Sequence, residues 1–129
     1  MPGKCAMQKV KVKICGISDY REAAIAVELG VDALGFIFAP SPRQITPQKA
    51  LAIIRELPPF IKTVGVFVNE TPDVIREITH HCGLDLVQLH GDESPDLCLA
   101  LMPYTIKALR MKGESSSQAG MAFYGKVRA

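Results

Sequence analysis

The chain has 129 residues, 48% hydrophobic and 22% charged, with 15 Lys+Arg against 13 Asp+Glu and a formal charge of +2. This is the balance of one globular domain with its own core, and it excludes disordered, collagen-like and disulfide-scaffold chains. So small a charge, with no dense Lys/Arg cluster, speaks against nucleic acid as a partner, and no apolar run approaches the ~18 residues of a membrane span.

Residues 1–9 hold no apolar stretch fit for a secretory signal and are read as an N-terminal tail, with one domain over 10–129. A cytoplasmic protein with no membrane partner is expected. Along the domain, strand-like runs rich in Val, Ile, Leu or Phe occupy 10–15, 32–38, 62–68, 85–90 and 104–109. Helices are expected between them. The first starts at Ser18 or Asp19 as cap, and Thr46-Pro47, Thr71-Pro72 and Ser94-Pro95 each set an N-cap hydroxyl before a proline that needs no backbone donor. Gly30 and Gly83 follow helical stretches where a left-handed terminal residue fits. Ala50, Leu51, Ile54 and Leu57 form one apolar stripe, and Ile75, Ile78 and Cys82 another. Strands joined by helical connections run parallel, so the architecture is serial βα.

Two parallel architectures fit that order: an open doubly wound sheet, or a closed barrel with helices only outside. Side-chain parity favours the barrel. Lys11, Lys13 and Cys15 alternate with Val10, Val12 and Ile14; Gln88 and His90 with Val87 and Leu89; Thr105 and Lys107 with Ile106 and Ala108. Polar residues on one face suit a shared lumen, whereas a sheet covered on both sides should be apolar on both. The competing explanation is that the first and fifth strands are wetted sheet edges. A full barrel needs roughly 200 residues or more. After Leu109 come a polar loop over 112–117 and a helix-sized stretch ending near Tyr124-Gly125, so the chain stops where a sixth strand should begin. The expectation is an incomplete (β/α)8 TIM-barrel type of about five parallel strands in sequential order, a truncation or partial product.

In parallel α/β folds, chemistry gathers at the carboxyl ends of the strands. Cys15 closes the first strand on the polar-parity face, and Gly16 lets the backbone turn away. A thiol there can act as nucleophile or base where a neighbour such as Lys13 favours the thiolate; its plain alternative is a small buried hydrophobe. Arg43, in a Pro-rich loop, offers a planar fork to a carboxylate or phosphate, against a merely solvated arginine. His90 ends the fourth strand on the lumen-parity face, against a histidine that simply bonds loop backbone. His80, His81 and Cys82 do not make a metal site, because adjacent side chains on a helix point apart. Asp92, Glu93 and Asp96 read as carboxylates favouring a helix N-terminus, and Asn69 and Glu70 as loop residues. No GxGxxG, GxxxxGK[ST] or HExxH occurs, and Cys5, Cys15, Cys82 and Cys98 show no CxxC spacing, so reduced thiols and no cofactor or metal are expected.

Lys13-Ile14-Cys15-Gly16-Ile17, Leu34-Gly35-Phe36-Ile37-Phe38, Ser41-Pro42-Arg43, Val64-Gly65-Val66-Phe67-Val68-Asn69 and Val87-Gln88-Leu89-His90-Gly91-Asp92-Glu93 together resemble the phosphoribosylanthranilate isomerases of tryptophan biosynthesis. The resemblance runs from about Val10 to Leu109 with its motifs in order. It implies a βα barrel that converts N-(5-phosphoribosyl)anthranilate to 1-(2-carboxyphenylamino)-1-deoxyribulose 5-phosphate by an Amadori rearrangement, without cofactor or metal. It also implies Cys15 as the general base, with Arg43 on the anthranilate part and His90 lining the site. That family's general acid is an aspartate ending the sixth strand, and its phosphate lies on loops after the seventh and eighth. Nothing in this chain matches them, and Asp92 is not put in that place. The chain alone is therefore expected to be a poor isomerase or none. Two other readings stand beside it: a non-catalytic half-barrel or assembly module, whose exposed strand edges self-associate or take a complementary C-terminal half, and a flavodoxin-like phosphosugar- or nucleotide-binding domain.

Overall fold

The structure, a computed structural model, describes residues 10–101 and 105–109. The readings placed above on 1–9, including Cys5, and on 110–129 lie outside the described residues. Strands and helices alternate strictly: β1 (Lys13–Cys15), α1 (Tyr20–Glu28), β2 (Ala33–Ile37), α2 (Pro47–Ile54), β3 (Lys62–Phe67), α3 (Pro72–Cys82), β4 (Leu86–Leu89), α4 (Pro95–Ala100) and β5 (Thr105–Lys107). The hydroxyl-proline starts work as read. Thr46, Thr71 and Ser94 have extended backbones, and each side chain accepts from the N–H three residues on, at 3.2, 3.4 and 3.2 Å. Each such cap is worth about 0.5–2 kcal/mol. Of the two candidates for α1, Asp19 takes the cap, accepting from the Glu22 N–H at 2.9 Å. Gly83 closes α3 in the left-handed region at φ 67°, where a Cβ would be strained.

All neighbouring strands are parallel, in the order β1-β2-β3-β4-β5. That order removes the flavodoxin-like alternative, because a doubly wound sheet must reverse its strand order somewhere to place helices on both faces. What remains is an arc of TIM-barrel type. Its helix-covered face carries Leu34, Phe36, Phe67, Val87 and Leu89, buried against Ala23, Ala26, Ala50, Ile53, Ile75 and Cys82. Registers Cys15↔Gly35, Ile37↔Val66 and Val66↔Gln88 set those residues on the opposite face. The amino ends of the strands are braced by two aspartates, each two residues after a left-handed glycine. Asp32 Oδ2 accepts from the Val12 N–H at 2.8 Å, and Asp85 Oδ2 from the Thr63 N–H at 2.8 Å and its hydroxyl at 3.2 Å.

Three expectations need correction. The run 10–15 forms a strand only over Lys13–Cys15, and its apolar face is largely uncovered, with Val10 79%, Val12 47% and Ile14 37% exposed. The reason is position: β1 ends the sheet and is bonded on one side only among the described residues. In α2 the fully buried residues are Ala50 and Ile53, while Leu51, Ile54 and Leu57 pack at the margin of the core, so the stripe is rotated from the one read. In β5, Thr105 and Lys107 pair with Val87 and Leu89 and so lie on the helix-covered face, not with the polar residues of β1 and β4. The Lys107 ammonium is accepted there because Glu93 Oε1 lies 2.8 Å away.

Candidate active site

The site is built on the carboxyl ends of β1, β2 and β4. Cys15 is the last residue of β1, on the face away from the helices, with its thiol lying over Gly35 of β2. A Cβ built on Gly35 would stand 2.9 Å from Cys15 Sγ, so the neighbouring strand must lack a side chain for the thiol to sit where it does. Cys15 is exposed, whereas Cys82 and Cys98 are buried, and burial pushes both of those thiols up from their ordinary value.

Arg43 reaches the same corner from the β2–α2 loop. The Ser41 hydroxyl accepts from the Arg43 N–H at 3.1 Å, the Ser41 carbonyl accepts from the Gln44 N–H at 3.0 Å, and Gln44 bridges back to Ile37. This closed turn presents the arginine. Its Nε–H donates to the Gly16 carbonyl at 2.9 Å, and an Nη2–H bonds Glu22 Oε2. Gly16 has φ 87°, and a Cβ there would meet Arg43 Cβ at 3.4 Å, so this glycine serves both the turn and the close approach. Gly16, Glu22 and Arg43 stand at the mouth of a cavity of about 260 Å³ between the edge of β1 and α1, walled by Ile14, Ile25, Ala26 and Leu29. Glu22 is held at about 2, against an ordinary 4.5, by the Arg43 guanidinium first and the Ser18 N–H second.

His90 is not part of that cavity. Its N–H donates to the Phe67 carbonyl at 2.9 Å, and its ring Nδ1 lies 3.4 Å from Gln88 Nε2. Gln88 in turn accepts from the Lys13 ammonium, a bond that spans the arc from β1 to β4. The structure therefore brings Arg43 onto Gly16, the residue after Cys15, and joins His90 to β1 through Gln88 and Lys13. A larger cavity, about 570 Å³, lies between α3 and α4 and is lined by Ile75, Arg76, Thr79, His80 and others. It belongs to the helical layer and includes none of the three predicted residues. In α3, Cys82 points inward with its thiol 3.4 Å from the Pro47 carbonyl, while His80 and His81 are exposed.

Sequence reading missed three participants. Glu22 stands three residues after the cap Asp19, a spacing that signals a carboxylate reaching back over a helix start, and it accepts from the Ser18 N–H at 2.8 Å and hydroxyl at 2.9 Å. Glu93 is not a solvated helix-end carboxylate: it is 4% exposed, accepts from the Asn69 and Gly91 N–H groups at 2.8 and 2.9 Å, and pairs with Lys107. Asn69, at φ 50°, accepts from the Asp92 N–H at 2.8 Å, so it fastens the rim below His90 rather than idling in a loop. No local pattern marks the Glu93–Asn69, Glu93–Lys107 and Asn69–Asp92 contacts, which cross between βα units.

A sequentially ordered parallel arc, with a thiol, an arginine fork and a histidine at or just after its strand carboxyl ends, is an α/β protein of TIM-barrel type, a fold in which chemistry gathers at that rim. Comparison with known proteins gives the family. A family model described as N-(5'-phosphoribosyl)anthranilate (PRA) isomerase matches residues 12–126, and the chain belongs to that family. It is 55% identical over 108 residues to the N-(5'-phosphoribosyl)anthranilate isomerase of Pelobacter propionicus, covering 83% of this chain and 52% of that protein. It is 50% identical over 119 residues to the isomerase of Moorella thermoacetica, covering 92% and 53%. The crystal structure of the Thermotoga maritima enzyme superposes with TM-score 0.85 at 43% identity, over 89% of this chain and 58% of that one. A second structure, of the isomerase in complex with reduced 1-(o-carboxyphenylamino)-1-deoxyribulose 5-phosphate, gives the same TM-score over 61% of its length. The chain spans about half the length of the curated relatives it matches. Among the described residues, no helix is long and apolar enough to cross a membrane.

Proposed function

We propose that this chain carries the proton-abstracting half of a phosphoribosylanthranilate isomerase site. The observation that supports this best is the Cys15 thiol, exposed on the face away from the helices at the carboxyl end of β1, one residue before the Gly16 carbonyl that holds Arg43. Once the ribose ring has opened to a Schiff base, Cys15 removes the proton from C2, and the enolamine that results tautomerises to the 1-deoxyribulose product. Arg43 receives the anthranilate part, and His90 lines the adjacent rim. No residue of this chain is assigned the proton donor that opens the ring or the loops that hold the phosphate. Lacking an acid partner costs about 10²- to 10⁴-fold in rate, so slow turnover or none is expected from these residues alone.

The uncovered edge at β1, with Val10 and Val12 exposed, favours association with a complementary C-terminal half or a second copy. The test is the fluorescence change on isomerisation of phosphoribosylanthranilate, measured with the chain alone and mixed with the C-terminal half of a relative. Turnover in either setting that Cys15→Ser lowers by orders of magnitude, with little change in affinity, is expected. A Cys15→Ser variant as fast as the parent removes the base assignment, and an elution volume unchanged by the added half removes the association.

A further inference from the structure

We propose that Glu22 is a positioning residue that fixes the Arg43 guanidinium against the Cys15–Gly16 turn, so that the fork meets an aromatic carboxylate beside the thiol. This rests on the functional reading above and adds to it a residue outside the three assigned ones. An arginine on a surface loop samples many rotamers, and a fork that must be ordered by its ligand binds more weakly than one already in place. Here two acceptors set the guanidinium plane, with the Gly16 carbonyl on Nε–H and Glu22 Oε2 on Nη2–H. The acceptors are themselves fixed. Glu22 sits in the first turn of α1, and its other oxygen, Oε1, takes the Ser18 N–H at 2.8 Å and hydroxyl at 2.9 Å. Gly16 belongs to the turn after β1, its own N–H donating to the Gly35 carbonyl at 3.0 Å. With no side chain at Gly16, nothing stands between the arginine stem and the residue that bears the thiol. These two bonds leave the Nη1 N–H groups as donors for a carboxylate. Glu22 thus acts through Arg43 and needs no contact with the ligand.

Two readouts on the 129-residue chain test this, and neither requires turnover. One is the backbone-independent ¹⁵N relaxation of Arg43 Nε; the other is fluorescence titration with free anthranilate. Parent, Glu22→Gln, Ser18→Ala and Arg43→Ala are compared at matched folded fraction. Glu22→Gln is expected to make Arg43 Nε mobile and to weaken anthranilate binding about tenfold, approaching Arg43→Ala. Ser18→Ala removes one tether of Glu22 while leaving the carboxylate, and is expected to fall between parent and Glu22→Gln if the latter folds poorly. An Arg43 Nε as ordered in the variants as in the parent overturns the proposal. So does equal or tighter anthranilate binding by Glu22→Gln, which would make Glu22 a competitor for the fork, and so does a parent that binds no anthranilate. If both expected shifts appear while phosphoribosylanthranilate is not turned over with either partner arrangement, the isomerase reading fails and the positioning role of Glu22 stands.

Discussion

Lys107 Nζ lies 2.8 Å from Glu93 Oε1, and both side chains are almost wholly buried, at 2% and 1% exposure. The pair joins β5 to the loop after β4, and Glu93 also takes the Asn69 N–H from the loop after β3, so three βα units meet on one carboxylate. Burial alone would raise the Glu93 carboxyl; the Lys107 ammonium and backbone N–H bonds outweigh it and hold the group below its ordinary value.

Removing one member of such a pair leaves a buried charge without compensation. Lys107→Met is therefore expected to lower unfolding stability by about 3–5 kcal/mol. Combining it with Glu93→Leu should restore a good part of the loss, because two apolar groups need no pairing. Urea titration measures both. A single variant within about 1 kcal/mol of the parent contradicts the pairing as drawn.

Acid should weaken the fold through Glu22 and Glu93. Both carboxyls are depressed in the folded state, Glu22 to about 2 from 4.5, so their contribution is complete above the unfolded value and drains away as pH falls through the folded one. The urea midpoint should thus decline between about pH 5 and pH 2, and Glu22→Gln should flatten that slope. The Glu22 share is small, since its side chain is 33% exposed and its partner 49%. A pH-independent midpoint across that window would contradict both assignments.

Thiol chemistry should follow burial. Cys15 is exposed, while Cys82 and Cys98 are buried with raised thiols, so a limiting alkylating agent should label Cys15 before Cys82 and Cys98. Peptide mapping by mass spectrometry gives the order. Gly35→Ala, whose Cβ would press on Cys15 Sγ, should change the Cys15 labelling rate by at least a few-fold and leave Cys82 and Cys98 unchanged. Equal rates in parent and variant would mean that the thiol does not lie over Gly35.

Asp85 braces the start of β3 from the start of β4 through the Thr63 N–H and hydroxyl. Asp85→Ala leaves the Thr63 N–H without this acceptor, and a loss of about 1–3 kcal/mol in urea titration is expected. Asp32→Ala should cost less, because Val12 lies at the exposed sheet edge where water can replace the lost bond. Equal losses would show that burial does not set the difference.

Much of this molecule is written locally. The Thr46, Thr71 and Ser94 starts, the left-handed Gly83 and the placement of Cys15, Arg43 and His90 at strand carboxyl ends follow from residue types and short spacings, since caps and prolines act within one turn. The motif order from Lys13 to Glu93 was enough to indicate the family. Tertiary structure alone decided what depends on which chain segments become neighbours. Alternation in 104–109 separates Thr105 and Lys107 from Ile106, yet it cannot say which side meets helices. The register with Val87 and Leu89 does, and it buries a lysine that polarity would have sent to the lumen. Likewise Glu93 reads as a surface carboxylate until Lys107 and Asn69 arrive from other βα units, and Glu22 as a helix-start residue until Arg43 crosses Gly16 to reach it. An ion's cost depends on the charges and donors around it, and these come from segments remote in sequence; no window of residues contains them.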